Sequence, residues 1–534
     1  MFPPTAGMAC YLGLDLSTQQ LKGIVVCSEP SGSESNYRIV CEDRVVFDDL
    51  NFGTTSGAIV DGNRARAPVK MWLRAVDMIL ESLSKKIDLH KIRCIGGCGQ
   101  QHGTVFWRDP SLLHRMDPSK SLEDNLRNAF SIELSPIWMD SSTTAQCLKL
   151  EAHVGGALEL AHLTGSRAYE RFSGNQIAKI ATEMTEDYEE TARISLVSSF
   201  IPSLFLGEVA PIDFSDGSGM NLMNIRTNTW SQKCLDGCLS PDRAEELFNK
   251  LGGDRGLVAP GADLGGVCST ICSRFGFSPE CRVSAFSGDN PASFVGMGVS
   301  KGDIVISLGS SDTLLLWVDK STPPLLQGHL LANPIDPEYL MGMLCFKNGS
   351  LMRDRIAEEC AGGDWQVFNA LLDSTPAGNN GRVGVYFDFM EILPPRQGRL
   401  RFDLCGRTPV QVHSPFDNAG EIRALIEGQF MSKRIYAERV GFKLEASSRL
   451  LVTGGASANA ALCQILADVF DLKVYSLTVA NSAALGGAIL AQRCIEGAAS
   501  IEPLSQLVAV PQKANVYVEL LPKFRKCLEH FDLL

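Results

Sequence analysis

The apolar positions of this chain fall into short runs that alternate with helical patterns, and that alternation predicts an α/β fold. Residues 11–16 and 21–26 are apolar runs flanking a small polar turn, which reads as a hairpin. Over 69–84, Met71, Trp72, Ala75, Met78, Ile79 and Leu83 recur at helical spacing, and a strand is predicted next over 92–95. Residues 30–36 and 109–124, rich in Ser, Pro and charge, read as surface excursions rather than core. The stretch 474–492 carries no charge but is rich in Ala, Gly, Ser and Asn. That composition suits a strand and a small-residue helix packed closely on a sheet better than a membrane span.

One pattern occurs twice. Leu12-Gly-Leu-Asp15-Leu-Ser17-Thr18 and Ile304-Val-Ile-Ser307-Leu-Gly309-Ser310 both read as strand, small-residue turn, strand, a little over half the chain apart. Two similarly built halves would explain the echo, with a boundary in the Gly-rich segment 288–302. Chance similarity between two apolar hairpins is the alternative.

Composition narrows the function class. With 534 residues, 45% of them apolar, the chain can bury a large core, and widespread disorder is excluded. A net charge of −12 argues against a nucleic-acid protein that relies on a broad basic surface. The 17 cysteines are scattered, and Cys94/Cys98, Cys234/Cys238 and Cys268/Cys272 are each separated by three residues instead of the two usual in zinc knuckles. They are expected to be buried, reduced thiols, with neither a metal site nor a disulfide framework. The opening MFPPTAGMACYLGLDL has no basic region or long apolar run, so a cytoplasmic location is expected.

GxxxxGK[ST], GxGxxG and GxSxG are all absent, which sets aside P-loop, Rossmann and α/β-hydrolase sites. Five small-residue turns remain, each beside a predicted strand. Asp15-Leu-Ser17-Thr18 can face phosphate with backbone N–H groups while its carboxylate holds a hydrated Mg²⁺; an ordinary hairpin is the competing reading. Ser307-Leu-Gly309-Ser310-Ser311-Asp312-Thr313 offers backbone donors to an anion in the same way. At Gly454-Gly455-Ala-Ser457-Ala-Asn459 a flat base can lie on side-chain-free backbone, or Ser457 can simply cap a helix that begins there. Ser287-Gly288-Asp289-Asn290 presents an acid at a strand end, exposed as a general base must be, or else an Asx-turn. The loop Gly96–Gly103 offers Gln100, Gln101 and His102 to a polyol, or is only a polar loop.

In their order and spacing these stretches resemble the FGGY carbohydrate kinases, with the closest likeness to the eukaryotic xylulokinase branch. The match is carried by GLDLSTQQLKG (13–23), GQQHG (99–103), AYERFSGNQIAKI (168–180), SGDNPASFVGMG (287–298), ISLGSSDTLLLW (306–317) and LLVTGGASANAALCQILADVF (450–470). The resemblance implies two actin-like, ribonuclease H-like ATPase domains, 8–296 for the sugar and 297–534 for the nucleotide, with the active site in the cleft between them. The last helices are expected to pack back on the first domain. It implies ATP- and Mg²⁺-dependent phosphorylation of D-xylulose to its 5-phosphate, or of ribulose, gluconate or glycerol; an actin-like ATP-binding chaperone is the reading outside the enzymes. By position, Asp289 is the implied catalytic base and Asn290, His102 and Arg171 its companions at the sugar. Gly454, Gly455, Asn459 and Trp365 fall at the adenosine, Thr18 and Ser310 at the phosphates, and Asp15 at the metal. The resemblance implies no nucleic-acid or membrane partner, and a monomer or homodimer. The first turn departs from the family's usual Asp-x-Gly-Thr by placing Ser17 where Gly is common, which restricts positive φ there.

Overall fold

The computed structural model describes residues 9–28, 37–406, 408–445, 447–477, 481–497 and 505–534, so the 30–36 excursion lies outside the described residues. In the first half, β1 (Cys10–Leu16) and β2 (Gln20–Ser28) form the expected antiparallel hairpin, which β3 (Tyr37–Val46) extends. Helix α1 (Val69–Lys86) buries Met71, Trp72, Ala75, Ile79 and Leu83 and leaves Met78 outward. Strand β4 (Ile92–Gly99) pairs parallel with β1 and is longer than its apolar run, so Gly96, Gly97 and Gly99 are strand residues. After α2 (Ser173–Glu183), β5 (Asp263–Gly266), β6 (Arg282–Ser284) and β7 (Ser287–Gly288) complete a seven-stranded sheet, and α3 (Asp289–Gly296) follows at once.

The second half repeats the plan. Its strands are β8 (Ile304–Leu308), β9 (Asp312–Asp319), β10 (His329–Ala332) and β11 (Tyr339–Phe346). Helices α4 (Ser350–Ala361), α5 (Trp365–Asp373) and α6 (Asn418–Arg439) precede β12 (Leu450–Thr453), α7 (Ala460–Phe470) and β13 (Val474–Leu477). Helix α8 (Ser482–Glu496) and β14 (Ser505–Ala509) follow. The sheet orders β3-β2-β1-β4-β6-β5 and β11-β9-β8-β12-β13-β14 share one sequence of senses: antiparallel, antiparallel, parallel, parallel, antiparallel. The echo between Leu12 and Ile304 is therefore structural, and among the described strands β7 of the first sheet and the edge strand β10 of the second lie outside the shared order.

Helix α8 ties the two halves together. It packs on β1, β4 and α3 of the first half rather than on the sheet its own strand belongs to. Its small residues have a direct cause. A Cβ at Gly13 would strike the carbonyl of Ala484, one at Gly96 the carbonyl of Gly487, and one at Gly486 the carbonyl of Ala292. The helix thus lies backbone to backbone on the sheet and on α3, and its lack of charge up to Gln492 reflects that contact. Among the described residues, no helix is long and apolar enough to cross a membrane.

Two expectations need correction. Cys10 and Cys27 are register partners on β1 and β2 and form a disulfide with a Cα–Cα distance of 4.1 Å, while the other cysteines are free. That pairing depends on hairpin register, which the spacing of the two residues does not announce. The 109–124 segment is not purely surface: Leu113, Met116 and Leu122 join the first core, and the Leu122 N–H donates to Asp77 of α1 at 2.6 Å.

Adding a methyl at Gly486 should force α8 away from α3. Gly486→Ala is expected to lose about 1–3 kcal/mol in denaturant unfolding. Gly455→Ala, whose added methyl meets open space, should change stability by less than about 0.5 kcal/mol.

Candidate active site between the two halves

The first part of the candidate site is built where β4 ends beside β7. Their parallel register sets Ser287 opposite Cys98 and Gly288 opposite Gly99, so Asp289, the first residue of α3, lies beside Gln101. Asn290 Nδ2 donates to Gln101 Oε1 at 3.0 Å and to Asp289 Oδ1 at 3.1 Å. Gln101 Nε2 in turn donates to Asp216 Oδ1 at 3.4 Å, and Ser198 Oγ to the other oxygen of Asp216 at 2.5 Å. Gly288 has no room for a side chain, because a Cβ would strike both Gln101 and Asp216. Asp289 is less open than its sequence context suggests: it keeps only partial exposure. Burial, then the charges of Asp15 and Asp216, push its carboxyl up to about 7. Asp15, at the end of β1, is buried, which also raises its carboxyl, and Cys98 Sγ donates to its Oδ1 at 3.4 Å.

His102 follows on the loop after β4, in the left-handed region at φ 69°. Its Nδ1 lies 2.9 Å from the Gly219 carbonyl and so donates to it, which leaves Nε2 as the acceptor of a neutral ring. Burial, then the Arg171 guanidinium, hold its pKa near 3. The ring stacks on Phe172 with centroids 4.6 Å apart. Arg171 precedes α2 with its guanidinium 4.9 Å from the Tyr169 ring centroid. In the first turn, Thr18 Oγ1 accepts from the Trp138 indole N–H at 2.8 Å. Ser17 takes no positive φ, so serine in place of glycine leaves the turn intact.

The second part is a cavity of about 780 Å³ lined by Gly309 and Ser310 of the second hairpin, Arg353, Trp365, Asn369, Gly455 and Asn459, among others. Four of the expected nucleotide residues therefore meet there. Gly454 does not. It sits at φ 87°, where a Cβ would strike the Leu308 backbone, so it shapes the turn while Gly455 faces open space. The helix does not start at Ser457 either. A 3-10 turn, Gly455–Ala458, intervenes, and Asn459 caps α7 through Oδ1 while its Nδ2 donates to Asn369 at 2.9 Å.

Beneath the second hairpin lies a charge cluster with no local sequence signal. Both oxygens of buried Asp312 bond Arg353 at 2.9 Å, and Lys433 of α6 joins them at 2.9 Å. Burial alone would raise the Asp312 carboxyl, but Lys433 and Arg353 together hold it below the usual range. Asp216, His329 and Asn369 likewise went unmarked in sequence, because each acquires its setting from segments remote in the chain.

The N-terminal domain of the FGGY family of carbohydrate kinases matches residues 10–296, and the family's C-terminal domain matches 304–494. The chain belongs to this family. Xylulose kinase of Mus musculus is 47% identical over 97% of this chain and 94% of its own length. Xylulose kinase 2 of Arabidopsis thaliana is 44% identical over 90% of this chain and 86% of its own. A crystal structure of xylulose kinase from Rhodospirillum rubrum superposes with a TM-score of 0.78, covering 98% of this chain and 99% of that one at 15% identity, which speaks to the fold. As an FGGY kinase the chain is a phosphotransferase with an alcohol acceptor.

Gly455→Leu fills the space a nucleotide base would need. It is expected to raise the ATP KM at least tenfold in a folded enzyme and leave the sugar KM within about twofold, read from separate titrations of each substrate.

Proposed function

We propose that this FGGY kinase transfers the γ-phosphoryl group of ATP to the terminal O5 of D-xylulose. The mouse and Arabidopsis relatives, both named xylulose kinases, support the choice of sugar. The observation that carries the mechanism is Asp289: a carboxyl poised near 7 at the start of α3, held by Asn290 beside a polar loop. A general base works best with its pKa near the working pH.

In this reading the ketose lies against Asp289, Asn290, His102 and Arg171. His102 offers a fixed acceptor at Nε2, and Arg171 only donors. Asp289 takes the proton from the attacking hydroxyl as the new O–P bond forms and the bond to the β-phosphate oxygen breaks, releasing ADP. The adenosine rests on Gly455 with Trp365 and Asn459 around it; Gly454 contributes by shaping that turn. The backbone of the two hairpins, at Thr18 and Ser310, faces the phosphates.

Asp15 suits a hydrated Mg²⁺. It is a buried carboxylate beside Asp289, and the charges of two such acids call for a cation between them and the phosphates. No cluster of three or more acidic, His or Cys groups fit to hold a metal occurs among the described residues. The ion would therefore complete its shell with water and phosphate oxygens, and when bound it would neutralise charge on the transferred group. We further propose a division at 296/297 into sugar and nucleotide domains, a monomer or homodimer, and a cytoplasmic location.

ADP release should be stimulated far more by D-xylulose than by ribulose, glycerol or gluconate. A higher kcat/KM with glycerol or gluconate would overturn the sugar assignment. Turnover of ATP with no acceptor effect would instead favour a chaperone-like ATPase.

Because Asp289 must be ionised to accept a proton, kcat/KM is expected to fall as pH drops through about 7, approaching tenfold per pH unit below it. Asp289→Asn should lose about 10²–10⁴ in kcat and abolish that acid limb. A folded variant that keeps the limb would assign it to another group.

A further inference from the structure

Strand β10 is the one strand of the second sheet without a counterpart in the first, and it reaches across to the other half. The Leu330 N–H donates to the Gly165 carbonyl at 2.9 Å, and the Ala332 N–H to Ser218 Oγ at 2.9 Å. Its first residue, His329, is buried and gives both ring nitrogens to the first half. Nε2 lies 2.9 Å from Arg171 Nη2, and Nδ1 lies 2.9 Å from Ser166 Oγ. A guanidinium can only donate, so Nε2 is the acceptor and Nδ1 carries the proton that Ser166 receives. The ring is held by Tyr169, 4.8 Å between centroids, and Phe172 at 5.5 Å. Phe172 in turn stacks on His102. A histidine that served only packing would have no need to direct one nitrogen at a charged residue of the opposite half.

We propose that His329 is a positioning residue for the sugar. From the second half it fixes the guanidinium of Arg171 and the aromatic floor under His102, so the sugar-binding geometry is complete only while the two halves are docked. The inference rests on the reading of Arg171 as a sugar residue. It gives the nucleotide-bearing half a hold on the acceptor through Arg171 and Phe172, by contacts none of which belongs to the nucleotide cavity.

A double-mutant cycle tests it. His329→Phe keeps a ring of similar size and removes the acceptor, while His329→Gln restores an acceptor oxygen. His329→Phe is expected to raise the KM of the acceptor sugar about tenfold and leave the ATP KM within about twofold, and His329→Gln to recover most of the loss. In an Arg171→Met background His329→Phe should add almost nothing, since the two residues act as one unit. A wild-type sugar KM in His329→Phe, or full additivity with Arg171→Met, would overturn the proposal. Wild-type enzyme is assayed first against the sugar panel. If D-xylulose is not the acceptor, the sugar assignment fails, and the cycle is read on the acceptor that the enzyme does use. Should His329→Phe not fold, NMR of ring-labelled histidine in the wild type reads the same contact. A neutral, Nδ1-protonated ring whose Nε2 signal moves on adding the sugar supports the role, and an Nε2-protonated or unresponsive ring refutes it.

Discussion

The rest of this architecture depends on a backbone-to-backbone contact. Helix α8 approaches β1, β4 and α3 so closely that Gly13, Gly96 and Gly486 have no room for a methyl group. Interiors pack at crystal density, so such a contact either fits or separates the layers. Through it the second half supplies part of the cover for the first sheet, and α3 is held from behind by the helix that buries it. Asp289 begins α3, so the position of its carboxylate follows from the seating of a helix some two hundred residues later in the chain.

The electrostatics of the two sides differ in sign. On the first-half side Asp15, Asp216 and Asp289 converge, and burial with mutual repulsion raises the Asp289 carboxyl. On the second-half side Asp312 is held ionised by Arg353 and Lys433. A base near neutrality belongs on the first side. Beneath the second hairpin, two cations to one anion make the local field positive. Removing one member of such a buried cluster strands the others, so its parts are best regarded as a unit.

Much of the fold was legible because it is local. The first hairpin, α1, the strand before Gly96 and the repeat between Leu12 and Ile304 are all written in contiguous periodicity. The turns that carry Asp289 and Gly455 were legible too, since their residue types restrict the backbone to a strand end followed by a turn or helix start. Gly454 was not separable from Gly455 by sequence, because only φ distinguishes a glycine that shapes a turn from one that leaves space. His329, Asp216 and Lys433 had no local signal. Each is one polar residue in an apolar or mixed segment, and its partner lies far along the chain. The Cys10–Cys27 bond escaped for a related reason: register, set by the whole hairpin, makes neighbours of residues that spacing alone leaves unrelated.

The late position of α8 has a consequence for synthesis of the protein. The strands of the first sheet are all made by residue 288, yet the helix that covers β1 and β4 is complete only at residue 496. At typical elongation rates of ~5–20 residues per second, the ribosome takes on the order of 10–40 s to span that interval. Throughout it, the glycine-lined face of the sheet stands open, and the first half cannot reach its final form. This protein therefore does not mature from its N-terminus by independent halves; completion of the first awaits nearly the end of the second.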